Sequence, residues 1–268
     1  MKRWRLRLLQ ASLLAAIFVI WQVATQPDLI PPFMWENPNR AAFFFGEPVK
    51  MFNVIWTWFS EGAIYQHLWV TLQETALAFV IGSALGLGIG LWLGLSPTAS
   101  ALFDPYITAM NAMPRVVLAP IFMVWFGLGI WSKVALGVTL VFFIVFFNVY
   151  QGVKEVSPVV LNNAVMLGAN RKHLLRYVYL PSATSWLFSS LHTSVGMAFV
   201  GAVVGEYLGS ASGVDYLIQQ AEGAFDINTV FAGILVLTAF ALVLDFAVGR
   251  AERRLLQWRP GQGETEQL

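Results

Sequence analysis

The sequence contains no cysteine, which excludes disulfide cross-links, thiolate metal sites and thiol catalysis together. Charge is scarce too: Asp, Glu, Lys and Arg make up 12% of the 268 residues, against about 25% in ordinary soluble domains. No Gly-x-x-x-x-Gly-Lys-Ser/Thr loop is present to cradle nucleotide phosphates, so the chain is not expected to bind ATP itself. Neither a His-Glu-x-x-His run nor a workable Ser/His/Asp set can be drawn from the three histidines. No catalytic residue, metal site or cofactor is therefore expected. The net charge of +1 decides nothing, because in a chain this poor in charge the placement matters more than the sum.

What is abundant is apolar. Hydrophobic residues make up 57% of the chain, with 21 Phe and 11 Trp among them, a composition suited to lipid as the solvent. Six stretches approach the ~20 residues a spanning helix needs: roughly 8–24, 68–95, 101–128, 134–150, 183–204 and 230–248. The fold class is accordingly all-α and polytopic, with six transmembrane helices. The first stretch follows a basic start (Lys2, Arg3, Arg5, Arg7) and superficially looks like a signal peptide ending near Val23-Ala24-Thr25. Its near-spanning length, Trp21 at its far end and the further apolar segments behind it favour an anchor. The long connection 26–67 carries Pro31-Pro32 and an aromatic-rich stretch, Phe43–Trp58, expected to lie along the membrane surface.

Basic residues set the orientation. With the N-terminus inside, Lys2, Arg3, Arg5, Arg7, Lys154, Arg171, Lys172, Arg176, Arg250, Arg253, Arg254 and Arg259 share one side, and only Arg40, Lys50 and Lys133 lie on the other. That asymmetry satisfies the positive-inside rule and places both termini and the connection 151–182 in the cytoplasm. The connection is longer than a turn requires and is patterned like a helix, with Val165, Leu167, Leu174, Leu175 and Val178 near helical spacing. Gly168 interrupts it and Leu180-Pro181 is expected to end it. Such a segment must bury its apolar stripe against something, and a partner protein is the economical choice.

Within the spans, Gly82, Gly86, Gly90 and Gly94 recur every fourth residue and form a smooth face for close helix packing, in this chain or a second copy. Arg115 falls near mid-depth, flanked by Pro114 and Pro120. A charge there must face a cavity, a counter-ion or an aqueous path. It either lines a path for an anionic or polar solute, at a helix broken by its prolines, or pairs structurally with Glu206 or Asp245. Glu206 itself reads as a gate, a partner contact or an interface marker. Asp245 reads as a local partner of Arg250, and His192 as a hydrogen-bonded packing residue.

The segment Asn162-Asn163-Ala164-Val165-Met166-Leu167-Gly168, followed nine residues later by Val178-Tyr179-Leu180-Pro181, resembles the EAA loop of ATP-binding-cassette (ABC) importer permeases. The Gly and Leu-Pro fall at that motif's spacing, while Asn162 and Asn163 replace its Glu and first Ala. Met113–Pro120 with Trp125-Phe126-Gly127-Leu128-Gly129, and Val204–Gly209 with Ser212-Gly213 and Tyr216-Leu217-Ile218, are similar to the branch importing nitrate, sulfonates and taurine.

The resemblance covers about 67–257, with 1–66 adding the first span and surface helix and 258–268 a cytoplasmic tail, all one permease domain. It implies the type I ABC importer permease fold, the bacterial inner membrane, and a coupling helix near Gly168–Leu175. The expected ATPase contacts are Asn162, Ala164, Gly168, Ala169, Asn170, Arg171, Leu174, Leu180 and Pro181. The expected path residues are Pro114, Arg115, Pro120 and Glu206. The partners implied are a pair of ABC ATPase subunits, a second permease copy, a periplasmic or lipid-anchored solute-binding protein and membrane lipid, with no nucleic acid. Small anions such as sulfonate, taurine or nitrate are the expected cargo. A thiamine-precursor pyrimidine, a flavin or an aromatic carboxylate stays open, and an ion-coupled secondary transporter is the remote alternative.

Overall fold

The computed structural model describes residues 3–25 and 40–255, so Pro31-Pro32 and the tail 258–268 lie outside the described residues. Among those described, every regular element is helical. In chain order they are α1 (Arg3–Thr25), α2 (Arg40–Phe45), α3 (Pro48–Ser60), α4 (Ala63–Leu95) and α5 (Pro97–Ala112). A 3-10 turn (Arg115–Leu118) leads into α6 (Ala119–Phe126), α7 (Ile130–Lys154), α8 (Pro158–Met166) and α9 (Arg171–Leu174). A π turn (Leu175–Tyr179) runs into α10 (Leu180–Ser189), and α11 (Leu191–Leu208), α12 (Val214–Gly223) and α13 (Ile227–Leu255) complete the order.

Among the described residues, four helices are long and apolar enough to cross a membrane on their own: Trp4–Thr25, Ala63–Leu95, Ile130–Lys154 and Ile227–Ala251. α5 and Arg115–Phe126 together pass the same test as a pair bent by 88° at the break between them, the shape of a broken span or a re-entrant loop. The remaining apolar stretch, 183–204, falls on α10 and α11, which meet at Ser190. By contacts the chain forms two compact units, residues 1–68 with 212–239, and residues 69–211 with 240–268.

The glycine stripe organises the second of these units. A Cβ placed on Gly82, Gly86, Gly90 or Gly94 would stand 2.7, 2.8, 3.0 or 2.9 Å from the Cβ of Val141, Val145, Val149 or Val153. The partner face is therefore on α7 of the same chain, and the two helices mesh residue for residue over four turns. Valine suits the opposing positions because its β-branch is held in one rotamer on a helix and fills the groove that glycine leaves. The four valines are buried together with Ala78, Ala183 and Ala198. The third helix, α11, closes on α7 in the same way: a β-carbon on Gly201 would stand 2.5 Å from the Gly137 Cα, and one on Gly137 would stand 2.6 Å from the Cβ of Ala78 on α4. With no hydrophobic drive between helices in lipid, dispersion across such close contacts is the main stabilising term.

The first unit gathers α1, α2, α3, α12 and the first half of α13. Gln22 and Trp21 tie α1 to the helices that follow, since the Gln22 Oε1 accepts from the Val49 N–H at 3.0 Å and the Trp21 Nε1 donates to the Phe45 carbonyl at 3.0 Å. Asn228 Oδ1 accepts from the Glu47 N–H at 2.7 Å, fixing the start of α3 against α13. The aromatic-rich stretch thus folds as α2 and α3. One side of α3 buries Pro48 and Met51, and Val49, Phe52, Trp56 and Phe59 form an exposed stripe on another.

Candidate functional site

Three features carry the chemistry. The first is the connection between α7 and α10. Ser157-Pro158 opens α8, with the proline in its first turn where no N–H is needed. The helix ends at Gly168, whose φ of +87° is the left-handed conformation that favours glycine. Around it the Leu167 N–H bonds to the Asn163 carbonyl at 3.0 Å and the Ala169 N–H to the Ala164 carbonyl at 3.0 Å, which satisfies carbonyls the helix end leaves over. Asn170 then caps α9, its Oδ1 accepting from the His173 N–H at 2.9 Å. Within the motif, Ala164, Gly168, Ala169 and Asn170 thus build the tip by backbone geometry. A β-carbon on Gly168 would meet open space, so its role is conformational rather than close approach.

The tip displays what a soluble domain would bury. Met166 and Leu167 are 85% and 88% exposed, and Val159, Val165 and Tyr177 stand out beside them. Arg171, Lys172 and Arg176 are also exposed there. The base of the segment is held firmly, by contrast. Ser182 Oγ donates to the Gly152 carbonyl at 2.8 Å, and Trp186 packs directly on Gly152.

One expectation needs correction here. Leu180-Pro181 does not end the helix, which passes through into α10. The Leu180 N–H bonds five residues back to the Leu175 carbonyl, so the turn widens to a π turn. That widening makes room for the Pro181 ring and absorbs its missing donor. The helix proper likewise starts at Arg171 and not at Gly168.

The second feature is the break in the bent span. Met113 and Pro114 take extended backbone, the 3-10 turn begins at Arg115, and Pro120 sits in the first turn of α6. The Arg115 guanidinium donates to Asn111 Oδ1 and lies 4.5 Å over the Phe143 ring. Its partners are thus a neutral amide and an aromatic face, and neither Glu206 nor Asp245 forms the ion pair considered from sequence. Asp245 instead meets His192 Nδ1 at 3.2 Å. Around the break the chain is little covered: α5 buries no residue, and Val117, Val124 and Trp125 are broadly exposed.

The third feature was not found by sequence reasoning. Glu74, Lys133 and Glu206, from α4, α7 and α11, are 1%, 0% and 0% exposed. Thr71 Oγ1 donates to Glu206 Oε1 at 2.6 Å. The Lys133 ammonium donates to the carbonyls of Leu128 and Gly129. Glu206, read from sequence as a gate, a partner contact or an interface marker, is enclosed. Lys133, counted as an exposed loop charge, is enclosed too. The available signal was Glu74, a carboxylate in the middle of an apolar run, which marks such positions by its cost.

A bent span beside straight ones, a glycine-meshed helix core and an exposed helix-turn-helix tip define a multi-pass membrane permease of the ABC importer type. The chain belongs to the family of binding-protein-dependent transport system inner membrane components, whose model matches residues 82–257. A Bacillus subtilis (strain 168) protein named as an aliphatic sulfonates transport permease, SsuC, is 31% identical over 91% of this chain and 85% of its own length. The taurine transport system permease protein TauC of Escherichia coli (strain K12) is 28% identical, over 93% and 89% respectively. Among solved structures, the inward-facing methionine ABC transporter MetNI has a chain that superposes with a TM-score of 0.62 at 16% identity, over 71% of this chain and 95% of that one. That last likeness is one of fold. The protein is thus a transport subunit of the inner membrane, not an enzyme. It works with a solute-binding protein, and ATP hydrolysis belongs to a separate ABC ATPase chain.

Proposed function

We propose that the chain forms, as a homodimer, the path by which a small anion of the sulfonate or taurine kind crosses the inner membrane, with both termini cytoplasmic. The single observation that carries the anion is the Arg115 guanidinium at the break, held by Asn111 and the Phe143 face, with no carboxylate paired to it among the described residues. A guanidinium steadied by neutral groups keeps its charge for a passing anion, and the broken helix on either side adds backbone dipoles. The cargo named for the sulfonate and taurine relatives agrees with that chemistry. A second copy is needed because the limb bearing Arg115 exposes apolar side chains along α5 and α6, and the two-fold arrangement of such oligomers would cover it and enclose a path. Membrane lipid covers the remaining apolar faces.

Coupling to the ATPase runs through 162–181. Met166 and Leu167 present the apolar knob, Arg171 and Lys172 the charge, and Gly168 and Asn170 the backbone shape that holds the tip. Leu174, Leu180 and Pro181 connect that tip to α10, so a push on it reaches the packed core through Ser182 and Gly152. The test is uptake of labelled taurine or an alkanesulfonate into proteoliposomes holding the whole transporter. Arg115→Gln is expected to cut uptake about tenfold, the scale of one charge-assisted contact, with normal assembly. Uptake at the unaltered rate would remove Arg115 from the path.

A further inference from the structure

We propose that Lys133 is a positioning residue which sets where the limb 115–129, and with it Arg115, stands against the packed helices. The chain of causes begins at the bend. The limb ends with α6, and the C-terminal carbonyls of a helix lack intrahelical partners. Gly127, at φ +74°, turns the chain there, carrying the carbonyls of Leu128 and Gly129 past the end of α6, where they need other donors. Lys133, one turn into α7, donates to both, and Ser132 Oγ joins it on the Gly129 carbonyl at 2.9 Å. An ammonium is also the right charge for the negative end of a helix.

Room for its stem comes from Gly205 on α11, where a β-carbon would stand 2.8 Å from Lys133 Cγ. One turn on, Gly209 faces Met123 and Leu128 of the limb, with a β-carbon there 3.0 Å from the Met123 sulfur. The limb is therefore fastened to α7 by the Lys133 hydrogen bonds and seated against Gly209 at the end of α11, while Gly205 receives the Lys133 stem.

The fully buried ammonium then requires counter-charge. Glu206 of α11 and Glu74 of α4 both act on it through space, and Thr71 of α4 holds Glu206. Glu74 and Glu206 also hydrogen-bond to each other, so three ionisable groups from three helices share one buried cluster. A trio of well-packed apolar residues would hold three helices together at less cost. What apolar residues cannot do is grip backbone carbonyls at one register, and Lys133 does that at the end of the limb that carries Arg115.

The transport arm of the test rests on the path reading of Arg115; the distance arm does not. Because the chain has no cysteine, spin labels can be placed at Val124→Cys on α6 and Val200→Cys on α11, in transporter diluted with unlabelled chain so that only labels within one chain report. Lys133→Met alone strands two buried carboxyls, and assembled complex should fall about tenfold. The triple variant K133M/E74Q/E206Q removes all the charge, and assembly should return to within about twofold of the parent. In that variant the distance distribution between the labels should broaden, and the KM for uptake should rise at least about fivefold as the limb loses its register.

Normal assembly of the single variant overturns the proposal, as does a triple variant with an unchanged distance distribution. A triple variant that cannot assemble also overturns it, since the charges would then serve folding alone. Broadened distances with an unchanged KM leave Lys133 as the fastener of the limb and remove Arg115 from the path.

Discussion

Val141, Val145, Val149 and Val153 on α7 are 0–4% exposed, each seated on a glycine of α4. Further along the chain, Val165, Met166 and Leu167 are 56%, 85% and 88% exposed on a turn closed by backbone bonds from the Leu167, Gly168 and Ala169 N–H groups. Both stretches are apolar and both are locally well formed, yet one is closed within the chain and the other is left open. In a membrane protein, exposure along a span means lipid or a neighbouring span. Exposure on a capped helix-turn-helix between spans means a protein surface waiting for its partner. The contrast separates the part of the permease that packing closes from the part proposed above as the ATPase contact.

The comparison breaks most visibly at its closed side. A β-carbon on Gly86 meets not only Val145 but backbone, the Phe142 carbonyl at 2.9 Å and the Phe146 nitrogen at 3.0 Å, so no side-chain rotation relieves it. Gly86→Leu should therefore destabilise the fold by about 3 kcal/mol, the upper end for overpacking, read as lost folded protein in detergent and a lower unfolding temperature. At the open side, M166A/L167A should leave unfolding unchanged and weaken ATPase binding about tenfold, the loss expected of an interface anchor; a drop in thermal stability instead would mean the tip is covered within the chain. The smallest effect belongs to Gly168→Ala. It forces a β-carbon into left-handed backbone at a cost of about 1 kcal/mol confined to the tip, and should lower solute-stimulated ATP hydrolysis modestly with unfolding unaltered.

Much of this was legible in the sequence. The glycine stripe, the spacing of Gly168 to Leu180-Pro181 and the broken span at Pro114 are periodicities and breakers, and such signals are local. The partner of the stripe was left open between this chain and a second copy, because a four-residue repeat such as Val141, Val145, Val149 and Val153 does not say which helix it meets. The buried cluster was hidden because Glu74, Lys133 and Glu206 lie far apart in sequence and only helix packing gathers them. Positive-inside counting also treats every loop-end lysine as solvated, which Lys133 is not. Pro181 was misplaced for a different reason: a proline normally ends a helix, but a π turn placed just ahead of it lets the helix continue.

The central claim, that the open tip is covered by the ATPase, can be tested on a single thiol. With Leu167→Cys as the one cysteine in the permease, reactivity toward a membrane-impermeant maleimide is measured for the permease alone and for the assembled transporter. A thiol-to-amine cross-linker is then applied to the assembled transporter. The account predicts rapid labelling of the permease alone, protection on assembly, and a cross-linked product joining permease to ATPase. Equal labelling in both states with no such product would contradict it.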